Sequence, residues 1–236
     1  MNPPTTIACK ICRQSKLGQQ EGRLLQWIDH PLFPRFWGMW QEGKTIFLLM
    51  EAVFGSSLEA LLMRRGTLTE RQTARMGMEL AAGLKYLHEL PEPVLFRDVK
   101  PANILIRQDG RVKLLDLGCA CRLGEKAQNL AGTPGFGAPE QLEAGNVLTA
   151  ACDVYGLGRT LRAAVGKDCK RSFGRMLDAC TRTKAEIRLQ DMKEVLMRLE
   201  AFVGEGSNAG IFRPKDDMRT PIVCVKNIWE SSYKNA

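Results

Sequence analysis

The stretch PVLFRDVKPANILI (residues 93–106) sets Asp98, Lys100 and Asn103 at intervals of two and three inside an otherwise apolar run. Apolar, β-branched flanks mark buried, strand-like backbone, where a polar group costs free energy unless it is partnered. A carboxylate, an ammonium and an amide so close together serve no packing purpose there. They are groups that bind metal, phosphate or a proton.

The next elements reinforce this. Residues 103–107 and 112–115 read as two short strands with a turn at Asp109-Gly110 between them. Folding that hairpin back brings Asn103 beside Asp116, thirteen residues further on. A carboxylate and an amide oxygen converging on one point suit a hard divalent cation such as Mg²⁺, which keeps waters and phosphates as its other ligands. Asp98 is then free to orient a hydroxyl nucleophile, and Lys100 to neutralise charge on a phosphoryl group in transit. Singly, Asp116-Leu117-Gly118 is a turn and Asn103 a hairpin cap; the set of three at one join is what points to chemistry.

Composition sets the frame. The 236 residues are 44% apolar and 25% charged, ordinary values for a globular protein with a sizeable core. No apolar run reaches the roughly 18–20 residues of a membrane span. The N-terminus MNPPTTIACK lacks the charged-then-apolar layout of a secretory signal, so a cytoplasmic protein is expected. The eight cysteines are dispersed along a chain too long to need stapling, and are expected as reduced thiols. Cys9/Cys12 and Cys119/Cys121 each lack a second pair at zinc-site spacing. The net charge is +8, and residues 159–198 hold eleven Lys/Arg against five Asp/Glu. Without interleaved aromatics this is a solvated pair of helices, and no nucleic-acid partner is expected.

Along the chain, residues 6–13 alternate as a strand, and 19–28 form a helix that the His30-Pro31 step ends. Residues 35–40 and 45–50 read as a hairpin across Glu42-Gly43. Ser56/Ser57 cap a short helix ending at Gly66. A capping box at residues 69–72 opens a long helix carrying Met76, Leu80, Leu84 and Leu87 at helical spacing. A Gly- and Pro-rich loop covers 118–139, and helix then dominates to about Phe202. No internal repeat is present.

These residues carry a resemblance. Residues 96–103 (FRDVKPAN) resemble the catalytic loop of protein kinases of the eukaryotic-like Ser/Thr type found in bacteria. Asp116-Leu117-Gly118 resembles the magnesium-binding D-F-G, and Ala138-Pro139-Glu140 the A-P-E closing the activation segment. Gly132-Thr133-Pro134-Gly135 is similar to the substrate-facing loop, and residues 153–158 to the helix that anchors the catalytic loop. Arg188 is placed like the arginine that pairs with the A-P-E glutamate, Glu140. Each motif is weak alone; six in one order at matching spacings, over roughly residues 6–202, are specific. In the N-terminal part, Ile7-Ala8-Cys9-Lys10 resembles the strand whose lysine holds nucleotide phosphates, and Glu21 the glutamate that pairs with it. The resemblance implies Met50 at the back of an adenine pocket, Glu51 and Val53 offering backbone groups to adenine, and Ala8 and Leu105 sandwiching the ring.

Departures are equally legible. About five residues precede the lysine strand in this sequence, so the family's Gly-rich phosphate loop is expected to be absent there, through a misassigned start, a naturally shortened lobe or a loop supplied from elsewhere. Residues 204–210 followed by Ile222–Lys226 resemble such a loop and strand displaced to the C-terminus; a flexible linker explains the glycines more simply. Phe96 and Leu117 stand where the family carries histidine and phenylalanine. Between Gly118 and Gly132 there is no Ser, Thr or Tyr, so activity independent of loop phosphorylation is expected, with Glu125 as a partner for Arg97. Residues 161–173 leave little room for the family's peripheral docking helix. Cys119 and Cys121 flank Asp116 and read as inert buried thiols rather than a redox switch.

The expected fold is therefore α+β and two-lobed: a shortened β-rich N-lobe with hinge over 1–53, a helical C-lobe over 54–202, and a tail over 203–236. The resemblance implies transfer of the γ-phosphoryl of ATP, with Mg²⁺, to Ser or Thr hydroxyls of a protein substrate. Asp98, Lys100 and Asn103 would carry the chemistry; Asn103 and Asp116 would hold the metal; Lys10, Glu21, Ala8, Met50, Glu51, Val53, Leu105 and Asp116 would meet the nucleotide. Two alternatives stay open: a catalytically weak or inactive scaffold module on the same fold, and a small-molecule phosphotransferase, which would not need the 132–140 loop.

Overall fold

The computed structural model describes residues 6–127 and 132–203. The expected displaced loop and strand at 204–226 lie outside the described residues. Three strands, β1 (Ile7–Cys12), β2 (Phe36–Glu42) and β3 (Thr45–Glu51), form an antiparallel sheet in the order β1-β3-β2. The β2–β3 turn is where the sequence put it, with Gly43 at φ 56° and Glu42 opposite Thr45. Trp40 stacks on Phe47 across the pair at 4.7 Å between ring centroids.

Helix α1 (Ser15–Leu25) lies against this sheet. Gly18 is required: a Cβ there would fall 2.7 Å from Cys12 Cβ and 2.9 Å from Ile46 Cβ, whereas one at Gly22 would meet the flexible Met39 side chain. The helix starts and stops earlier than the 19–28 expected. Trp27 and Ile28 bond back to Leu24 and Leu25, so the chain tightens into 3₁₀-type turns before Pro31 is reached.

The rest is mainly helical. Strand β4 (Ser56–Ser57) leads into α2 (Leu58–Arg65), whose first turn is capped by the Ser57 hydroxyl accepting the Ala60 N–H at 3.1 Å. Helix α3 (Glu70–His88) opens on the Thr69/Gln72 capping box, and Met76, Leu80, Leu84 and Leu87 are all fully buried. Then come β5 (Val94–Leu95), a 3₁₀ turn at Pro101–Asn103, β6 (Ile104–Ile106) and β7 (Val112–Leu114). Strands β4, β6 and β7 pair in that order, with Gly110 at φ 77° in the turn. Among its described residues the 118–139 loop contains a short strand the sequence did not announce, β8 (Cys121–Arg122), formed because β5 supplies a pairing edge. Helices α4 (Ala151–Val165), α5 (Arg171–Cys180) and α6 (Met192–Val203) complete the body. Only residues 166–170 separate α4 from α5.

One core runs from Ile46 and Leu48 of the sheet through Leu80 and Leu84 to Leu161, Phe173 and Leu199. The architecture is α+β, a small sheet-containing N-terminal lobe on a larger helical one. No helix among the described residues is long and apolar enough to cross a membrane.

Candidate active site

Helix α4 holds the 96–103 loop from behind. Asp153, fully buried, accepts the N–H groups of Phe96 (2.9 Å) and Arg97 (2.7 Å), and its Oδ2 meets His88 Nε2 at 2.8 Å. Thr160 Oγ1 donates to the Val99 carbonyl and Gln141 Nε2 to that of Arg97. Arg97 is thereby held at φ 68°, a left-handed conformation unfavourable for a bulky side chain and found where surroundings over-determine the backbone.

The polar groups of the 93–106 stretch converge on one carboxylate. Asp98 Oδ1 accepts from Thr133 Oγ1 at 2.7 Å, and Oδ2 meets Lys100 Nζ at 2.7 Å and Asn103 Nδ2 at 3.0 Å. Lys100 also donates to Thr133 Oγ1 at 2.6 Å, closing a ring of three residues. Asn103 spends its amide nitrogen on Asp98, so what it can offer a cation is Oδ1. The hairpin does bring Asn103 to the start of the 116–118 turn: the Leu115 N–H donates to its carbonyl at 2.8 Å. Asp116 is the second non-glycine residue with positive φ, at 75°.

The N-terminal lobe contributes one cation. Lys10 Nζ lies 2.7 Å from Glu21 Oε2 and 2.7 Å from Asp116 Oδ1, with side-chain exposure of 18% for the lysine and 5% for Glu21. Burial alone lowers the lysine pKa, but Glu21 and Asp116 reverse this and raise it well above the usual ammonium range. Burial raises Asp116 while Lys10 outweighs it, leaving that carboxyl below its ordinary value; burial pushes Glu21 up against the pull of Lys10. Asp116 Oδ1 takes both Lys10 Nζ and the Gly118 N–H, at 2.7 and 3.0 Å. An ionised carboxylate oxygen and an amide oxygen at one turn fit the small, hard donor set that Mg²⁺ takes.

The residues expected around adenine lie on β1, the end of β3 and β6. Ala8 pairs in register with Met50, and Leu105 is buried on β6 against Gly55. The Glu51 N–H is committed to the Arg35 carbonyl at 2.7 Å, which leaves only its C=O to offer; the N–H of Ala52 goes to Thr6. Val53, half-buried, follows on the same segment.

Supporting contacts fall where the sequence put them or were not foreseen. Arg188, expected opposite Glu140, meets it with two bonds of 2.6 and 3.1 Å and stacks over Tyr155. The seven described cysteines are free. Burial pushes the Cys119 and Cys121 thiols up to about 12 and about 11, which disfavours the reactive thiolate; Cys121 is buried as expected, whereas Cys119 is only half-buried. Among the described residues no three His, Cys, Asp or Glu side chains form a metal cluster. His88, Gln141 and Lys113 were missed by sequence reasoning. His88 ends a helix whose apolar spacing hid it, 65 residues from its partner.

Residues 5–174, more than half of the chain, match the family model for the protein kinase domain. The cAMP-dependent protein kinase catalytic subunit PRKX of Homo sapiens is 32% identical over 143 residues, covering 61% of this chain and 38% of that protein. The serine/threonine-protein kinase RUNKEL of Arabidopsis thaliana is 31% identical over 161 residues, 66% of this chain and 12% of its own length. The MAP kinase kinase MKK1/SSP32 of Saccharomyces cerevisiae is 38% identical over 144 residues, 56% of this chain and 27% of its own. The chain thus spans less than half the length of these curated relatives. With the motifs assembled in the cleft between a small sheet-bearing lobe and a helical one, and with this match, the chain belongs to the protein kinase family.

Proposed function

We propose that this chain is a serine/threonine protein kinase of the cytoplasm, transferring the γ-phosphoryl of ATP to Ser or Thr hydroxyls of a protein, with lobes divided near residue 53. The observation that carries this reading is the Asp98–Lys100–Thr133–Asn103 network. Asp98 is held and aimed by three donors, so it can accept a hydrogen bond from the incoming hydroxyl and take its proton as the oxygen bonds to phosphorus. The ring through Thr133 also supports the choice of an aliphatic hydroxyl, because that side chain comes from the 132–140 loop that would receive a peptide.

Lys100 Nζ lies beside Asp98 and would stabilise the equatorial phosphoryl oxygens while the bond to the leaving diphosphate breaks. Asn103 Oδ1 and Asp116 would hold Mg²⁺, which draws charge from the phosphates when bound. Lys10, fixed by Glu21, would position the α- and β-phosphates, and must share or release Asp116 to do so. Ala8, Met50, Leu105 and the backbone of 51–53 would enclose the base.

The test is transfer of label from γ-³²P ATP to a generic protein substrate by the full chain and by Asp98→Ala. Labelled Ser or Thr from the native chain, with the variant down by about 10³-fold, is expected. Equal background from both would sink the enzyme reading in favour of a scaffold module; label on a small metabolite but not on protein would favour the small-molecule phosphotransferase.

A further inference from the structure

Lys113 is a buried ammonium that none of the chemistry above uses. It lies on β7, three residues before Asp116, with a side chain 8% exposed. Its Nζ donates to the Phe33 carbonyl at 2.9 Å and meets Glu51 Oε2 at 2.8 Å. The same Glu51 oxygen accepts the Arg35 N–H at 3.1 Å, and the Glu51 N–H donates back to the Arg35 carbonyl. Leu114 N–H reaches the Leu32 carbonyl at 2.8 Å. Three segments far apart in sequence, residues 32–35, the end of β3 and strand β7, therefore meet around one cation.

With its lysine end buried and its carboxylate half-buried, such a pair adds little to stability alone; what it fixes is register. Here one end of the pair is the segment whose backbone would face adenine, and the other is the strand that delivers a metal ligand. We propose that Lys113 is a positioning residue for nucleotide binding: through Glu51 it holds the 51–53 backbone at a set offset from Asp116, an inference that rests on the phosphotransfer reading above. Burial raises the Glu51 carboxyl, but hydrogen bonds from Lys113 and the Arg35 N–H more than reverse it, keeping it ionised at neutral pH. Without the ammonium, Glu51 keeps only the Arg35 N–H, and the fraction of molecules with the base and phosphate ends correctly spaced falls. Apparent nucleotide affinity falls by the same fraction. Asp98 and Lys100 are held by α4 and Thr133 instead, so the phosphoryl step is touched less.

The experiment compares the full native chain with Lys113→Met, Lys113→Arg, Glu51→Gln and the Lys113→Met/Glu51→Gln double variant. MgATP titration, KM and kcat for protein phosphorylation, and melting temperature are measured on each. Lys113→Met and Glu51→Gln should each raise the KM for ATP about tenfold, with kcat moved several-fold less. The double variant should be no worse than either single one, and Lys113→Arg should recover most of the loss. Glu51→Gln keeps an acceptor for Arg35 and so reports even if Lys113→Met fails to fold. A lowered melting temperature with unchanged KM, or additive losses in the double variant, would overturn the positioning role alone. A native chain that neither binds nor turns over ATP would instead overturn the phosphotransfer reading, and this role with it.

Discussion

The two ends of the cleft are built differently. At the Asp98 end, Asp98, Lys100, Asn103 and Thr133 lie within 35 positions of one another and are held by a helical body whose core is closed. At the Lys10 end, the lysine sits on a three-stranded lobe that leaves Ile7, Ile11, Trp37 and Trp40 between 43% and 53% exposed, and its partner Asp116 is 106 positions away. The first end is a locally encoded device on a rigid support. The second exists only where β1 and α1 of the small lobe meet the 116–118 turn of the larger one. Their energetics should differ accordingly.

The sharpest way to break that contrast is at the support. Asp153→Ala strips the acceptor from two buried N–H groups and should cost about 3–5 kcal/mol, with melting of the whole body and loss of transfer together. A fold that melts normally would mean the loop is not held from α4. Next in size, Lys10→Met leaves Glu21 buried without its cation. It should cost about 3 kcal/mol, read as faster hydrogen exchange in β1 and α1 with α3 and α4 unchanged. Exchange rising equally in both lobes would show that they unfold as one unit.

A smaller effect lies in pH. Burial raises Glu140, but Arg188 more than offsets it and leaves the carboxyl below its ordinary value. The ion pair's contribution is therefore present above the ordinary carboxylate pKa, near 4.5, and lost as pH falls through the lower folded value. Glu140→Gln should reduce the melting temperature at pH 7 by a few degrees and flatten its fall as the pH drops below the ordinary carboxylate range; an unchanged acid limb would assign that limb to other groups. Smallest of all, Cys119 and Cys121 should react with iodoacetamide at pH 8 at least ~100-fold more slowly than a free thiol. Fast labelling at Cys119 would revive the redox-switch reading beside Asp116.

Much of the first end was legible in the sequence. The 103–115 hairpin, its Gly110 turn and the Thr69 capping box follow from residue type and spacing, because turns and caps are short-range signals, whereas the Glu140–Arg188 pair was expected only from the family resemblance. Less was legible at the N-terminal lobe. Helix α1 begins four residues before the expected start, where Gln14 makes no side-chain cap that residue type could announce. Strand β8 was unreadable because two residues acquire strand geometry only from their partner β5.

By itself, then, the sequence determined the α+β class, the order of motifs and the residues with chemistry to offer. The tertiary structure decided their partners. That Lys10 is shared between Glu21 and Asp116, that His88 backs Asp153, and that Lys113 reaches Glu51 depend on which side chains are packed face to face. The physical reason is that an ionic or hydrogen-bonding side chain names what it needs but not where it will find it; burial removes water as the default partner and leaves only the neighbours that packing supplies.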